Sequence, residues 1–324
     1  MTSELAVRTQ GLTKQFDNQI AVKNVDLQIL SGEVFGLIGP NGAGKTTLIR
    51  MLAAAEEPTA GEIYVTGERF LRGQNNPDLK RKLGYLPDDF PLYDDLSVWD
   101  YLDYFARLYF LKDPVRSQRL HEVIELVELE NKRDSLIGTL SRGMKQRLSL
   151  ARSIIHNPAL LLLDEPVSGL DPIARVQVRN IIKSLQQQGM TILISSHILS
   201  DLAELCDSIG IMELGSLVES SGLQDLYDRS SQQEIVISTL GSAEDLQTEL
   251  RKHDLVKRCE VLPSSSSGAN SGANNVAIQF VGNSEDSAAL LRSLVNAGIP
   301  IIDFHRTQES LENIFFNLGY KQTS

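Results

Sequence analysis

Cysteine, long apolar runs and a basic leader are what this sequence has least of. Its 324 residues include only two cysteines, Cys206 and Cys259. Their wide separation matches no metal-binding spacing, so we expect reduced, structural thiols in a cytosolic protein. No run approaches the roughly 18 consecutive apolar residues that indicate a transmembrane helix. Residues 1–5 show no basic region followed by an apolar one, so no signal peptide is expected.

Positive charge is also in short supply. The chain carries 31 lysines and arginines against 42 aspartates and glutamates, which gives a formal net charge of -11. A chain with this balance is poorly suited to binding phosphate backbones, so no nucleic acid partner is expected. The remaining composition, 42% hydrophobic and 23% charged, is ordinary for a globular protein, and the length allows two domains.

The most informative segment is a glycine-rich loop that fits the pattern G-x-x-x-x-G-K-[ST]. Its residues are Gly39, Pro40, Asn41, Gly42, Ala43, Gly44, Lys45, Thr46 and Thr47. Residues 34–38 predict a buried strand before the loop, and residues 47–52 predict a helix after it. In that setting backbone N–H groups and the helix N-terminus surround an anion, Lys45 reaches the β- and γ-phosphates, and Thr46 binds Mg²⁺. The alternative is a glycine-rich turn that binds nothing.

A second motif places two carboxylates at the end of an apolar run. Residues 160–163 are all leucine, and Asp164 and Glu165 follow them. Such a run is typical of a buried parallel strand, whose carboxyl end lies at the ligand-binding edge of an open α/β sheet. Asp164 is suited there to holding Mg²⁺, and Glu165 to polarising the water that attacks a γ-phosphate. The alternative is a core strand with an acidic, solvated end.

A third segment predicts the start of a helix that binds an anion. It comprises Ser141, Arg142, Gly143 and Met144, and Ser141 is a favourable N-cap. Many helices begin this way without binding anything. Because one phosphate loop is already present, the segment indicates a nucleotide held from two sides.

In this order the motifs resemble those of the ATP-binding subunit of ABC (ATP-binding cassette) transporters, over roughly residues 5–225. The resemblance makes residues 39–47 the Walker A loop, residues 140–144 the signature and residues 160–164 the Walker B strand. ATP and Mg²⁺ are the ligands it implies. The resemblance implies that Glu165, His197 and Lys45 are catalytic and that Thr46, Asp164 and Asp88 bind Mg²⁺. It implies that Phe16 stacks on adenine and that Asp171 belongs to the D-loop. The residues it implies to contact the ATP held by a second chain (in trans) are Ser141, Arg142, Gly143 and Met144.

The sequence departs from the family pattern at three positions. Arg142 stands where glycine is usual, and Met144 replaces the usual glutamine, although L-S-x-G-M-K-Q-R is familiar among export-type cassettes. Asp88 stands where the Q-loop commonly has glutamine, and an ionised aspartate cannot donate a hydrogen bond. These departures bear on how the Q-loop couples to the site rather than on the fold.

Several of these residues have structural alternatives. Phe16 either stacks on adenine or packs in a core, and His197 either faces the γ-phosphate or caps a strand end. An aromatic cluster also has two explanations, as helical core or as a groove that docks a transmembrane partner's cytoplasmic helix. The cluster comprises Trp99, Tyr101, Leu102, Tyr104, Phe105, Leu108 and Tyr109.

The predicted fold class is α/β: a P-loop ABC cassette with an antiparallel β subdomain and a helical subdomain at about residues 88–155. Residues 231–324 predict a small α+β accessory domain, because strands and helices alternate as β-α-β-β-α-β, the ferredoxin-like pattern. Residues 263–275 are rich in serine, glycine and asparagine and predict a flexible loop inside it. Residues 309–318 predict a closing amphipathic helix, and they resemble the tail of many ABC-2-type exporter cassettes.

The resemblance therefore implies the ATP-hydrolysing subunit of an ABC-2-type exporter. Such a subunit pairs head to tail with a second cassette, in a homodimer or with a different one. It is cytoplasmic and peripheral on the inner face of the cell membrane, through a membrane-spanning permease. The alternative is a soluble ABC-class ATPase acting on ribosomes or DNA, whose relatives tend to carry two cassettes or long basic insertions. The C-terminal domain either holds the dimer together or senses a small regulator.

Overall fold

The structure, a computed structural model, describes residues 4–89, 91–229, 233–262 and 274–307 together with Leu311. The chain divides into two compact units, the first ending at Leu223 and the second beginning at Gln224. The predicted loop at 263–275 falls almost entirely outside the described residues, as does most of the predicted helix at 309–318.

The first unit contains two sheets and the helices around them. Its strands are β1 Leu5–Phe16, β2 Gln19–Val25, β3 Gln28–Leu30, β4 Val34–Ile38, β5 Ala60–Val65, β6 Glu68–Arg69, β7 Leu83–Leu86, β8 Leu160–Asp164, β9 Thr191–Ser196, β10 Ser208–Glu213 and β11 Ser216–Gly222. Its helices are α1 Lys45–Leu52, α2 Pro77–Arg81, α3 Val98–Leu108, α4 Val115–Leu126, α5 Arg142–Ile154, α6 Pro172–Gln187 and α7 Leu199–Ala203, and α8 Leu223–Arg229 contains the boundary.

The smaller sheet of this unit is antiparallel. Its strand order is β2–β1–β5–β6, with β3 also paired to β1. Buried apolar residues alternate with exposed ones along β1, since one face of the sheet packs on the core. This sheet carries Phe16 at the last position of β1.

The larger sheet has the order β11–β10–β4–β9–β8–β7 and is parallel except for the β10–β11 hairpin. Every residue of β4, β8 and β9 is buried, which is why each of these strands contains a continuous apolar run in the sequence. Asp164 of β8 lies opposite Ser195 of β9, and Ile38 of β4 lies opposite Ser196. The carboxyl ends of the three strands therefore meet at one edge of the sheet.

The helical part of the unit divides the predicted aromatic cluster between core and surface. Tyr101 is fully buried, and its ring packs edge-on against Phe105 with 4.9 Å between ring centroids. Tyr104 and Leu108 are about half exposed, at 47% and 53%. Tyr101 therefore belongs to the core, whereas docking of a partner's helix on the exposed residues of α3 stays a prediction.

His156 joins the end of the signature helix α5 to β7. Its Nε2 atom lies 2.9 Å from the carbonyl oxygen of Leu83, and its ring stacks on Tyr109 with 3.8 Å between centroids. Burial lowers the pKa of His156 to about 4, so the ring is neutral at physiological pH and serves packing. The helical part is thereby attached to the edge of the parallel sheet.

The second unit contains residues 224–229 of α8, one sheet and two further described helices. Its elements are β12 Gln233–Thr239, α9 Ala243–Leu250, β13 Val256–Leu262, β14 Asn274–Phe280, α10 Ser284–Asn296 and β15 Ile301–Thr307. The strand order is β13–β14–β12–β15, and every described pairing is antiparallel. Apolar residues of the sheet and both helices form the unit's core, which includes Ile237, Leu246, Phe280 and Leu294.

None of the helices in the described part of the chain has the length and unbroken apolarity that crossing a bilayer requires. Both cysteines are free: Cys206 is buried and Cys259 is half-buried.

Candidate nucleotide site

Glycine is required in the phosphate loop because the backbone turns sharply and packs closely there. Gly42 and Gly44 have φ values of 80° and 101°, in the left-handed region that disfavours side chains. A Cβ atom on Gly39 would lie 2.3 Å from the carbonyl oxygen of Met212. The loop is thus packed against β10, and helix α1 begins directly after it at Lys45. Its helix N-terminus faces the space that a phosphate would occupy.

A cleft of about 470 Å³ lies over this loop. It brings together the loop itself and side chains that lie far apart in the sequence. The lining residues are Phe16, Gln19, Ala21, Pro40, Asn41, Gly42, Ala43, Gly44, Lys45, Thr46, Thr47, Asp88, Glu165, Ser168 and His197. Gly39 lies directly beneath it and accepts a hydrogen bond from Lys45 Nζ at 2.5 Å.

Three functional side chains are in contact within the cleft. Lys45 Nζ lies 3.7 Å from Glu165 Oε1, and His197 Nδ1 lies 2.8 Å from Glu165 Oε2. Burial lowers the pKa of the Lys45 ammonium, and the carboxylates of Glu165 and Asp164 oppose that shift. Glu165 has φ of 49°, so strand β8 turns abruptly there and directs the carboxylate between lysine and histidine. This arrangement suits a carboxylate that takes a proton from a water beside a phosphate.

Ser195 contacts both acidic residues, the carboxylate of Asp164 and the backbone of Glu165, and no sequence motif indicated it. Its Oγ donates to Asp164 Oδ1 at 2.7 Å and accepts from the backbone N–H of Glu165 at 3.0 Å. Ser195 is fully buried. The available signal was a hydroxyl near the end of the strand beside Walker B, but its role depends on the register of β8 and β9.

Asp164 is the most deeply buried of the residues predicted to hold Mg²⁺. Asp164 is 1% exposed, and its Oδ2 atom is buried without a hydrogen-bond partner. A buried carboxylate oxygen that lacks a partner fits a hard divalent cation, and Thr46 and Asp88 both line the cleft. Within the described ranges no three His, Cys, Asp or Glu side chains cluster as a metal site, so phosphate and water oxygens would have to complete the coordination.

Phe16 lies at the rim of the cleft rather than in the core. Its side chain is 44% exposed. Lys14 Nζ lies 4.7 Å from the centroid of its ring and also donates to Glu56 Oε1 at 2.6 Å. The Lys14 ammonium therefore lies over the ring, and the exposure of Phe16 contradicts the core-packing alternative, whereas adenine stacking stays a prediction.

The signature segment is placed apart from this cleft. Ser141 caps α5, its Oγ accepting from the Met144 N–H at 3.3 Å, and Asp171 caps α6, its Oδ1 accepting from the Ala174 N–H at 3.0 Å. Among the described residues that line the cleft, none belongs to residues 141–144 or is Asp171. Ser141 caps its helix as predicted, whereas the D-loop role of Asp171 stays a prediction.

We expect Ser195→Ala to reduce both hydrolysis and stability. Removing the hydroxyl leaves Asp164 Oδ1 and the Glu165 N–H without their buried partner, which costs about 1–3 kcal/mol of unfolding free energy. Because Glu165 loses its support, ATP turnover should fall by about tenfold or more. Urea unfolding and a steady-state ATPase assay measure the two effects.

Thr9→Val is the matched control for Ser195→Ala. The buried Thr9 hydroxyl donates to the Val25 carbonyl at 2.9 Å and accepts from the Leu27 N–H at 2.9 Å, outside the cleft. A similar stability loss with normal turnover is expected for Thr9→Val. If Ser195→Ala also kept normal turnover, the organising role of Ser195 would be rejected.

The site defines a P-loop nucleoside triphosphatase, because a phosphate loop lies at a helix start and an acid pair and a histidine lie at the adjacent strand ends.

The sequence profile of the family described as "ABC transporter" matches residues 22–168. The chain is 30% identical over 319 residues to the bacitracin transport ATP-binding protein BcrA of Enterococcus faecalis, covering 98% of this chain and 97% of that protein. It is 35% identical over 228 residues to the Nod factor export ATP-binding protein I of Cupriavidus metallidurans, covering 70% and 74%.

Solved structures agree with these sequence relatives. A dimeric ATP-binding cassette in a post-hydrolysis state, bound to ADP and Pi, matches with a TM-score of 0.60 at 25% identity, over 67% of this chain and 98% of that one. The chain belongs to the ABC transporter ATP-binding proteins and is an ATPase. The predicted fold class is confirmed for the cassette.

Proposed function

We propose that this chain is the ATP-hydrolysing subunit of an ABC-2-type exporter and that it acts as one of two cassettes paired head to tail. The observation that carries the pairing is the separation of two phosphate-binding elements. The cleft contains Lys45, Glu165 and His197, whereas the capped helix start at Ser141 lies outside it. A second cassette, identical or different, supplies its Ser141 and Gly143 to the ATP in this cleft.

The chemistry proposed is in-line attack of water on the γ-phosphate. Glu165 polarises the water, while Lys45 and His197 stabilise the charge that develops on the phosphoryl oxygens. His197 also fixes the orientation of the Glu165 carboxylate through their 2.8 Å contact. When bound, Mg²⁺ would neutralise charge on the β- and γ-phosphates, and Thr46, Asp164 and Asp88 are the residues proposed to hold it.

The same proposal assigns a function to each part of the chain. Residues 5–225 bind and hydrolyse ATP, and residues 88–155 within them form the helical part that contacts a membrane-spanning permease. The half-exposed Tyr104 and Leu108 support that surface. Residues 231–324 are accessory. The chain then works at the inner face of the membrane through its partner, and no nucleic acid takes part.

Export is supported by the full-length similarity to a bacitracin transport protein and by the similarity to a Nod factor export protein. The test first identifies a membrane-spanning permease of the ABC-2 type in the same genome and then reconstitutes the chain with that membrane protein. We expect the ATPase rate to rise when this chain is added to liposomes containing that protein, and not with protein-free liposomes. Stimulation by ribosomes or DNA, with none by the membrane protein, would contradict the proposal.

A further inference from the structure

Arg142, which stands where the family usually has glycine, packs on the D-loop of its own chain. Its Nη2 atom donates to the carbonyl oxygen of Ser168 at 3.3 Å. Its guanidinium also lies against Gly169, where an added Cβ would be 2.4 Å from Nη2 and 2.7 Å from Cζ. Gly169 has no side chain and has φ of 64°, so the loop offers an open backbone surface to a flat cation.

A second contact fixes the same two segments to each other. Gly143 packs so closely on α6 that an added Cβ would lie 2.7 Å from Cβ of Ala174. Ala174 is also the residue whose N–H donates to Asp171 Oδ1 at the start of α6. The start of α5, the D-loop and the start of α6 therefore form one packed element, in which Arg142 contacts the D-loop.

The far end of this element belongs to the catalytic cleft. Ser168 lines the cleft together with Lys45, Glu165 and His197. The Ser168 N–H donates to the carbonyl oxygen of Glu165 at 3.1 Å. Within one chain, a continuous path thus runs from the signature through Arg142 and Ser168 to the backbone of the catalytic carboxylate.

We propose that Arg142 is a positioning residue that couples the signature to the chain's own hydrolytic cleft. The inference rests on the proposed head-to-tail pair, in which the signature contacts the ATP held by the other chain. ATP bound in one site then sets the D-loop, and through it Glu165, in the other site. Arg142 acts within its own chain, where it holds the signature and the D-loop together, rather than as a ligand of the partner's nucleotide.

The test compares Arg142→Ala and Arg142→Lys with the wild-type chain. We expect Arg142→Ala to lower kcat about fivefold or more, the usual lower range of coupling between sites, and to reduce the Hill slope of the ATP dependence toward one. The ATP concentration for half-maximal rate should stay within about twofold of wild type. Arg142→Lys should recover part of kcat, because an ammonium can donate to the Ser168 carbonyl but cannot lie flat on Gly169.

Lys145→Ala is the charge-matched control. Lys145 lies one turn further along α5, and its Nζ contacts Asp94 Oδ1 at 3.0 Å instead of the D-loop. Lys145→Ala removes the same charge from the same helix but leaves the D-loop contact intact. The kcat and Hill slope of Lys145→Ala should therefore resemble those of wild type. An equal loss in Lys145→Ala, a wild-type kcat in Arg142→Ala, or a raised half-saturating ATP concentration with normal kcat would each overturn the proposal.

Hydrogen exchange of the ATP-free chain separates this inference from the pairing on which it rests. Backbone amides of residues 167–171 should exchange faster in Arg142→Ala than in Lys145→Ala, because the contact lies within one chain. Unchanged exchange of these amides in Arg142→Ala would show that Arg142 does not stabilise the D-loop, and the inference would be rejected. A different outcome is faster exchange in Arg142→Ala together with wild-type hydrolysis that does not depend on the pairing of two chains. In that case the head-to-tail proposal fails, and the coupling role of Arg142 fails with it.

Discussion

Glu165→Gln is expected to keep ATP binding and to lose nearly all hydrolysis. Glutamine has the same shape but cannot accept a proton, and removal of a positioned general base costs on the order of 10² to 10⁴ in rate. The substitution leaves the loop around Lys45 intact, so nucleotide affinity is retained. The variant should accumulate as an ATP-bound pair on a sizing column, because reopening depends on hydrolysis. Single-turnover hydrolysis and size-exclusion chromatography with ATP measure both effects.

Glu33→Gln provides the control for this substitution. The Glu33 carboxylate accepts from the Leu30 N–H at 2.6 Å and from the Ser208 hydroxyl at 2.9 Å, just before β4 and away from the cleft. The same chemical change there should leave turnover close to wild type. Near-normal hydrolysis in Glu165→Gln would reject the assignment of Glu165 as the base.

Ser141→Arg is expected to abolish turnover without weakening ATP binding by the chain that carries it. The substitution places bulk and positive charge at the helix start that we propose contacts the other chain's γ-phosphate. ATP affinity of the isolated chain should stay close to wild type, because its own cleft does not include Ser141. Lys45→Ala should lose affinity, since it removes the cation inside that cleft. Fluorescent nucleotide binding and ATPase assays compare the two variants.

Mixing the two variants tests whether each site is shared between chains. A mixed pair has one site with an intact phosphate loop and an intact signature, whereas each variant alone has none.

Ser97→Arg is the control for the lost helix cap, because the Ser97 hydroxyl accepts from the Asp100 N–H at 3.0 Å at the start of α3. It should retain turnover. Loss of nucleotide affinity in Ser141→Arg equal to that in Lys45→Ala would mean that Ser141 acts on its own chain's ATP.

Elements with an unbroken apolar run or a strong cap could be predicted from the sequence. Strand β8 was predicted with the bounds that the structure has, and Ser141 was identified as the cap of α5. Strand β7 was not predicted, because Leu83–Leu86 is short and contains glycine. The glycine is explained by packing, since a Cβ on Gly84 would lie 2.4 Å from the Ser153 carbonyl oxygen.

The candidate site was predictable where residues lie in contiguous motifs and not where packing alone joins them. The phosphate loop and the Asp164–Glu165 pair are read directly from adjacent positions. The hydroxyl of Ser195 required the β8–β9 register, and the contact of Arg142 with Ser168 required the packing of α5 on α6. Neither is encoded in a local pattern, so neither was foreseen. Whether the individual site residues act as proposed is decided by the substitutions described above.

The position of β4 in the parallel sheet has a consequence for synthesis of the chain. β4 carries the phosphate loop, yet its neighbours are β9 and β10, so Val34 pairs with Ile192 and Phe35 with Ser208. On the ribosome, this fully apolar strand therefore emerges long before either neighbour exists. Contacts between such distant segments form late and expose apolar surface in the meantime. The nascent chain is thus expected to acquire nucleotide binding only after residue 208 has emerged, and to need chaperone protection until then.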